Sequence, residues 1–218
     1  MTIKFTKERS VAVTREEAEH FRDARFAKNA SLVKLDQNEK KCVRSLLQLV
    51  PAGSVMLDVP CGTGRFHELL RQHGCRIIAA DISEEMLNLA RANDLAENYL
   101  LTDAENLSLP DKSVDGVFCI RLFHHIGSPQ TRARLFQEFA RVTRRWVLVS
   151  FYHSHCLKRF KKLVQGKPVS GEHVSFAALR AEAAAAGLHV VRTAAVARYL
   201  RPQWFVLFAA HEVRATHA

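Results

Sequence analysis

The chain has no CxxC pair. Its five cysteines, Cys42, Cys61, Cys75, Cys119 and Cys156, are an odd number scattered singly. That argues against a disulfide framework and against a structural zinc site, so no metal is expected. No stretch approaches the roughly 18 uninterrupted apolar residues of a membrane span. The start, MTIKFTKERSVAVTREE, carries no apolar core of signal-peptide type. Acids are scarce beside bases, 22 against 32, which leaves a net charge of +10 over 218 residues. Such an excess suits an anionic partner, whether RNA, a phosphorylated metabolite or a membrane surface, and is silent on fold. Repeats and low-complexity tracts are absent as well. With 48% apolar and 25% charged residues, disorder and coiled coil are excluded. The expectation is a soluble, reduced, cytoplasmic protein.

What the chain does have is alternation. Residues 1–35 are charged and weakly periodic, with a helix expected at Arg15–Ala27 behind the capping box formed by Thr14 and Glu17. They are expected to form an N-terminal helical cap on a single domain covering 36–218. Helical spacing of Val43, Leu46, Leu47 and Val50 predicts a helix over Asn38–Val50, ended by Pro51-Ala52-Gly53. Beyond it, strands expected at Val55–Val59, Arg76–Ala80, Tyr99–Thr102, Val114–Ile120 and Trp146–Phe151 alternate with helices at Arg65–His73, Glu84–Ala92 and Gln130–Thr143. A helix at Ser175–Ala186 and two apolar runs, His189–Ala195 and Trp204–Ala209, complete the pattern. The alternation indicates a parallel three-layer α/β sheet, and the last two runs an antiparallel hairpin at one end.

The most informative segment is Val55-Met56-Leu57-Asp58-Val59-Pro60-Cys61-Gly62-Thr63-Gly64-Arg65-Phe66. A buried strand enters a tight turn with glycines at alternate positions, and a helix follows. Glycine lets the backbone turn sharply and lets a ligand approach without a Cβ in the way. Asp81 ends the next strand, where a carboxylate accepts both hydroxyl hydrogens of a ribose in nucleotide-binding folds. A turn and a strand-end acid together predict a nucleoside-containing cofactor. A dinucleotide would require G-x-G-x-x-G, and from Gly62 and Gly64 the third position is His67, so that reading fails.

Four segments in order now resemble the class I S-adenosylmethionine-dependent methyltransferases, in their small-molecule group: LDVPCGTGRF, AADISEEMLNLARA, LLTDAENLSLPDKSVDG and VFCIRLFHHI. Ser108 and Val114 depart mildly from the usual proline and phenylalanine, and Pro60 stands where the family usually has its first glycine. The resemblance implies a Rossmann-like three-layer α/β sandwich, its seven-stranded, mostly parallel sheet carrying one antiparallel strand. It also implies S-adenosyl-L-methionine as cofactor. Asp58, Cys61, Gly62, Thr63 and Gly64 would hold the methionine end, and Asp81 the ribose. Ile82 and Met86 would flank the adenine, Asp103 and Ala104 would meet its edge, and Ile120 would lie against the methionine moiety.

The remaining candidates sit at the ligand-facing ends of strands. His124 and His125 follow the fourth strand and are candidate catalytic bases, against the plainer alternative of packing and backbone hydrogen bonding. Arg121, Tyr152 and His153 are candidate substrate contacts, with Arg121 either binding an anionic group or turning to solvent. The segment 156–171, CLKRFKKLVQGKPVSG, has five bases, no acid, and Leu157, Phe160, Leu163 and Val164 at helical spacing. It is expected to be a basic amphipathic helix, suited to an anionic membrane, an acidic or lipid-like substrate, or RNA phosphates. The expected function is methyl transfer to a small-molecule or lipid-like, anionic acceptor. The alternatives are an RNA methyltransferase and a non-catalytic cofactor-binding protein. Against RNA stands Cys119-Ile120-Arg121-Leu122 at the fourth strand end, in place of the D/N-P-P-Y/F of base-amine methylases.

Overall fold

A computed structural model describes residues 30–169, 171–197, 200 and 202–210. The helix expected at Arg15–Ala27 and most of the 1–35 cap lie outside the described residues. In chain order the elements are α1 (Ala30–Leu47), β1 (Val55–Asp58), α2 (His67–Gln72), β2 (Arg76–Asp81), α3 (Glu84–Arg91), β3 (Asn98–Leu101) and β4 (Val114–Cys119). There follow α4 (Pro129–Val142), β5 (Thr143–Tyr152), α5 (Leu157–Val164), α6 (Phe176–Ala185), β6 (His189–Ala195) and β7 (Gln203–Ala209). The seven strands form one sheet in the order β3-β2-β1-β4-β5-β7-β6. β7 runs antiparallel to both β5 and β6, and the other pairings are parallel. The expected seven-stranded sheet with one antiparallel strand is therefore what forms.

Short apolar runs become central strands here because both sheet faces are covered. Along β5, Val147, Val149 and Phe151 enter one apolar layer, with Phe123, Phe136, Phe139 and Leu179. Trp146 and Leu148 enter the other, with Val43, Leu46, Leu47, Leu70 and Phe118. Each strand thus supplies both layers by its alternation. Serine caps fix three helix starts: Ser83 Oγ accepts from the Met86 amide, Ser128 Oγ from Thr131 and Ser175 Oγ from Ala178.

The chain leaves β1 toward β2 and β3 on one side, then returns to place β4 on the other, with Met56 facing both Ile77 and Gly116 in register. A crevice opens at the carboxyl ends of β1 and β4, where such sheets bind ligands. One boundary differs markedly from expectation. α1 starts at Ala30, eight residues before Asn38, and so runs through the expected division at residue 35. The added turns carry the half-buried Asp36, and Glu39, just inside the expected span, is buried; apolar periodicity passes over both.

Candidate functional site

β1 ends in Asp58, and the turn Cys61–Gly64 follows a cis Val59–Pro60 peptide. The turn is tied to the neighbouring strands by backbone: Val59 N–H donates to Phe118 O at 2.9 Å and Cys61 N–H to Ala80 O at 2.8 Å. The two glycines answer different demands. Gly64, at φ +74°, packs so tightly on His67 that a Cβ would stand 2.7 Å from its Nδ1. Gly62, at φ +54°, has no atom beyond its own chain neighbours within 4 Å of where a Cβ would project. One glycine therefore accommodates the protein itself, and the other leaves open space over the turn.

Asp81 closes this cradle from β2. Its Oδ2 accepts the Gly62 N–H at 2.9 Å and its Oδ1 the Ser83 N–H at 3.0 Å. A carboxylate has about four lone-pair sites, so acceptor capacity remains beyond these two amides even with the Ile82 amide nearby. Burial pushes the Asp81 carboxyl above its ordinary range, and the Ser83 and Gly62 amides oppose that rise. Ile82, next in sequence, is 49% exposed, an apolar side chain left bare at the mouth of the crevice. Met86 is half-buried on α3. Asp103 is exposed after β3, its Oδ1 accepting the Glu105 N–H at 2.9 Å, with Ala104 half-buried beside it. Ile120 is buried at the end of β4. An open glycine turn, a strand-end acid with spare acceptors and a bare apolar side chain fit an adenosyl group attached to an amino acid.

His67 escaped sequence reading except as the residue that spoils a dinucleotide motif. It is fully buried, with Nε2 3.1 Å from Asp58 Oδ2. Burial raises the Asp58 carboxyl pKa, and His67 and Arg65 act against that. Equally unforeseen is a chain of charges on the α1 side. Glu39, fully buried, receives Arg65 Nη2 at 2.6 Å on one oxygen and Arg121 Nη2 at 2.5 Å on the other. Arg65 Nη1 also reaches Asp36 at 2.5 Å. Arg121 sits at φ +66°, its N–H donating to Ser150 Oγ at 2.8 Å. Its guanidinium thus faces Glu39 rather than solvent. The signal in the sequence was two acids, Asp36 and Glu39, on the otherwise apolar line of a helix.

Across the crevice, His124 lies in a short 3-10 turn, Phe123–His125, after β4. Its ring stacks on Tyr152 with centroids 4.3 Å apart and 19° between planes, and His125 approaches to 4.0 Å. Residues 171–174 strap this stack: Glu172 N–H donates to His124 O, and Val174 N–H to Tyr152 O, both at 2.8 Å. His153 is buried, and its Nδ1 accepts the His155 N–H at 2.9 Å. Burial, with His155 nearby, holds the His153 pKa below the usual histidine range. Among the described residues no group of three His, Cys, Asp or Glu is arranged to hold a metal ion.

The buried Cys61 thiol is pushed far above its ordinary pKa by burial, then by the Asp58 and Asp81 carboxylates. It is therefore no thiolate nucleophile. Iodoacetamide at pH 7.5 is expected to leave Cys61 and the fully buried Cys119 unmodified in the native protein and to alkylate all five cysteines in urea. Peptide mass spectrometry reads this, and native alkylation of Cys61 would contradict the geometry.

Residues 57–150 match the family model described as a methyltransferase domain. A malonyl-(acyl-carrier protein) O-methyltransferase of Yersinia pestis is 39% identical over 102 residues, 45% of this chain and 36% of that protein. A tRNA (carboxymethyluridine(34)-5-O)-methyltransferase of Arabidopsis thaliana is 30% identical over 127 residues, 58% of this chain and 28% of that protein. The chain thus spans only about a third of the length of these curated relatives. A magnesium protoporphyrin IX methyltransferase from Synechocystis, crystallised with S-adenosylmethionine, superposes with TM-score 0.68 at 16% identity, covering 91% of this chain and 92% of that one. That likeness shows the shared fold. Residues 57–150 thus carry a match to a methyltransferase domain, within a fold shared with S-adenosylmethionine-dependent methyltransferases, whose motifs the glycine turn resembles.

Proposed function

We propose that this chain transfers a methyl group from S-adenosylmethionine to a small-molecule or lipid-like, anionic acceptor. The observation that carries the proposal is the open turn at Gly62, tied at 2.9 Å to an Asp81 carboxylate that keeps free acceptor sites. The Cys61–Gly64 backbone and Asp58 would hold the amino-acid end of the cofactor, Asp81 the ribose, and Ile82 and Met86 the adenine faces. Asp103 and Ala104 meet the adenine edge, and Ile120 backs the methionine chain. When bound, S-adenosylmethionine supplies an electrophilic methyl on a sulfonium whose departing thioether is neutral. The protein's task is then to align and desolvate the acceptor, which by itself supplies several kcal/mol of rate acceleration.

Tyr152 and the His124–His125 pair form the wall facing the crevice from β4 and β5, and they are the groups proposed to orient the acceptor and take its proton. Arg121 contributes by position: Glu39 neutralises it, so an anionic acceptor meets the pair rather than a bare cation. Malonyl-carrier relatives accord with a lipid-like acceptor, and tRNA-modifying relatives, with the net charge of +10, favour RNA as a second reading. The full chain incubated with methyl-labelled cofactor and fractionated cell extract separates them. Label in lipid or small metabolites is expected. Label confined to RNA selects the second reading, and cofactor binding without label in any pool overturns catalysis.

A further inference from the structure

Helix α5 leaves its apolar side uncovered. Leu157, Phe160, Leu163 and Val164 are 43%, 64%, 53% and 71% exposed, so one eight-residue helix carries half of the eight large apolar side chains exposed among the described residues. At about 100° per residue these four share one stripe, with Lys161 next to one border and Arg159 next to the other. Lys162 lies on the far side, its Nζ 3.1 Å from Pro168 O, and the segment 156–171 has no acid. A groove of about 410 Å³ runs along the stripe, lined by Cys156, Leu157, Phe160 and Leu163 among others. Its lining begins at Ser154, two residues beyond the end of β5. No described helix is long and apolar enough to cross a membrane.

We infer that α5 is the surface by which this protein rests on an anionic lipid bilayer. An apolar stripe bordered by cations is the arrangement of a helix lying in the interface, its apolar side chains at the acyl boundary and its cations at the phosphates. Phosphates of RNA would engage the cations and leave Phe160 and Val164 bare. An acidic protein partner would need an apolar patch of its own to match. A bilayer supplies both charge and apolar depth, and the overall charge of +10 adds attraction to an anionic leaflet. The docking surface itself stands independently of the acceptor's identity.

The full chain, sedimented with vesicles of phosphatidylcholine alone or with 30% phosphatidylglycerol, tests this. Binding is expected only to the anionic vesicles and to fall with salt. Phe160→Asp with Leu163→Asp, and separately Lys161→Glu with Lys162→Glu, are each expected to lower partitioning about tenfold or more. Both variants should keep the wild-type circular dichroism spectrum and S-adenosylmethionine affinity, which separates loss of docking from loss of the cofactor site. Equal binding by either folded variant, or no binding to anionic vesicles, overturns the inference. So does retention on polyanionic RNA that the lysine pair abolishes and the Phe160–Leu163 pair leaves intact, with vesicles unbound.

Discussion

Asp81→Ala is expected to weaken S-adenosylmethionine binding by about two to four orders of magnitude, measured by titration calorimetry on protein whose circular dichroism is unchanged. Two ribose hydroxyls donating to a carboxylate amount to about 1.5–3 kcal/mol each, and each 1.4 kcal/mol is a factor of ten. The substitution also orphans the amides of Gly62 and Ser83, which now donate to Asp81 at 2.9 and 3.0 Å, so the glycine turn loses its tether. Asp81→Asn is the more discriminating change. An amide has one acceptor oxygen, so one of the two N–H donors must face an NH₂ group. Asparagine should therefore bind nearly as weakly as alanine, although it is almost the same size. Affinity within threefold of wild type in either variant would remove Asp81 from the ribose site.

The same carboxylate gives binding a pH dependence of known sign. Its pKa is raised, with burial the largest cause. A carboxyl with a raised pKa takes up its proton at higher pH than an ordinary one, and the protonated form loses acceptor strength toward ribose hydroxyls. Cofactor affinity is thus expected to fall on acidification, starting above the ordinary carboxylate range. The cost falls on the acid side only.

The cofactor half of this site was legible because its requirements are local. A strand, two glycines, a helix start and a strand-end acid lie within Val55–Asp81, and period and turn chemistry expose each of them. The parallel sheet with an antiparallel hairpin at one end was legible for the same reason, since alternating strands and helices admit few connections. What escaped depended on pairing across distance. Glu39 meets Arg121 from 82 residues away, and while its place on the helix's apolar line hints at burial, nothing in DQNEKK names the arginine it meets. The half-buried Asp36 interrupted the apolar pattern, so the helix seemed to begin at Asn38 although it already runs at Ala30, the first described residue. His67 was hidden likewise, because a histidine starting a helix is not marked as lying beneath a glycine turn.

Glu39→Ala is expected to lower stability by about 3–5 kcal/mol, because removing one partner of a buried pair leaves its charge uncompensated. For a chain of this size that is a fall in Tm of about 10 °C. Arg121, whose side chain is 23% exposed, would lose its carboxylate partner, while Arg65 would keep only Asp36. Burial alone would lower the Arg121 pKa, but Glu39 more than offsets it, so the guanidinium stays charged in the native protein. The helix is affected with its residue: α1 is tied to the glycine turn through Arg65 and to the β4 end through Arg121, so both walls of the crevice loosen together. Cofactor affinity should fall with stability, unlike in Asp81→Ala, where affinity falls alone. Glu39→Met combined with Arg121→Met separates charge from packing at Arg121, since Arg65 keeps Asp36 and replacing both members of a buried pair by apolar side chains is often close to neutral. Urea denaturation of the single and double variants closes the cycle. A double variant as unstable as Glu39→Ala would mean that the helix is held by shape, and a single variant within 1 kcal/mol of wild type would mean that the pair holds nothing.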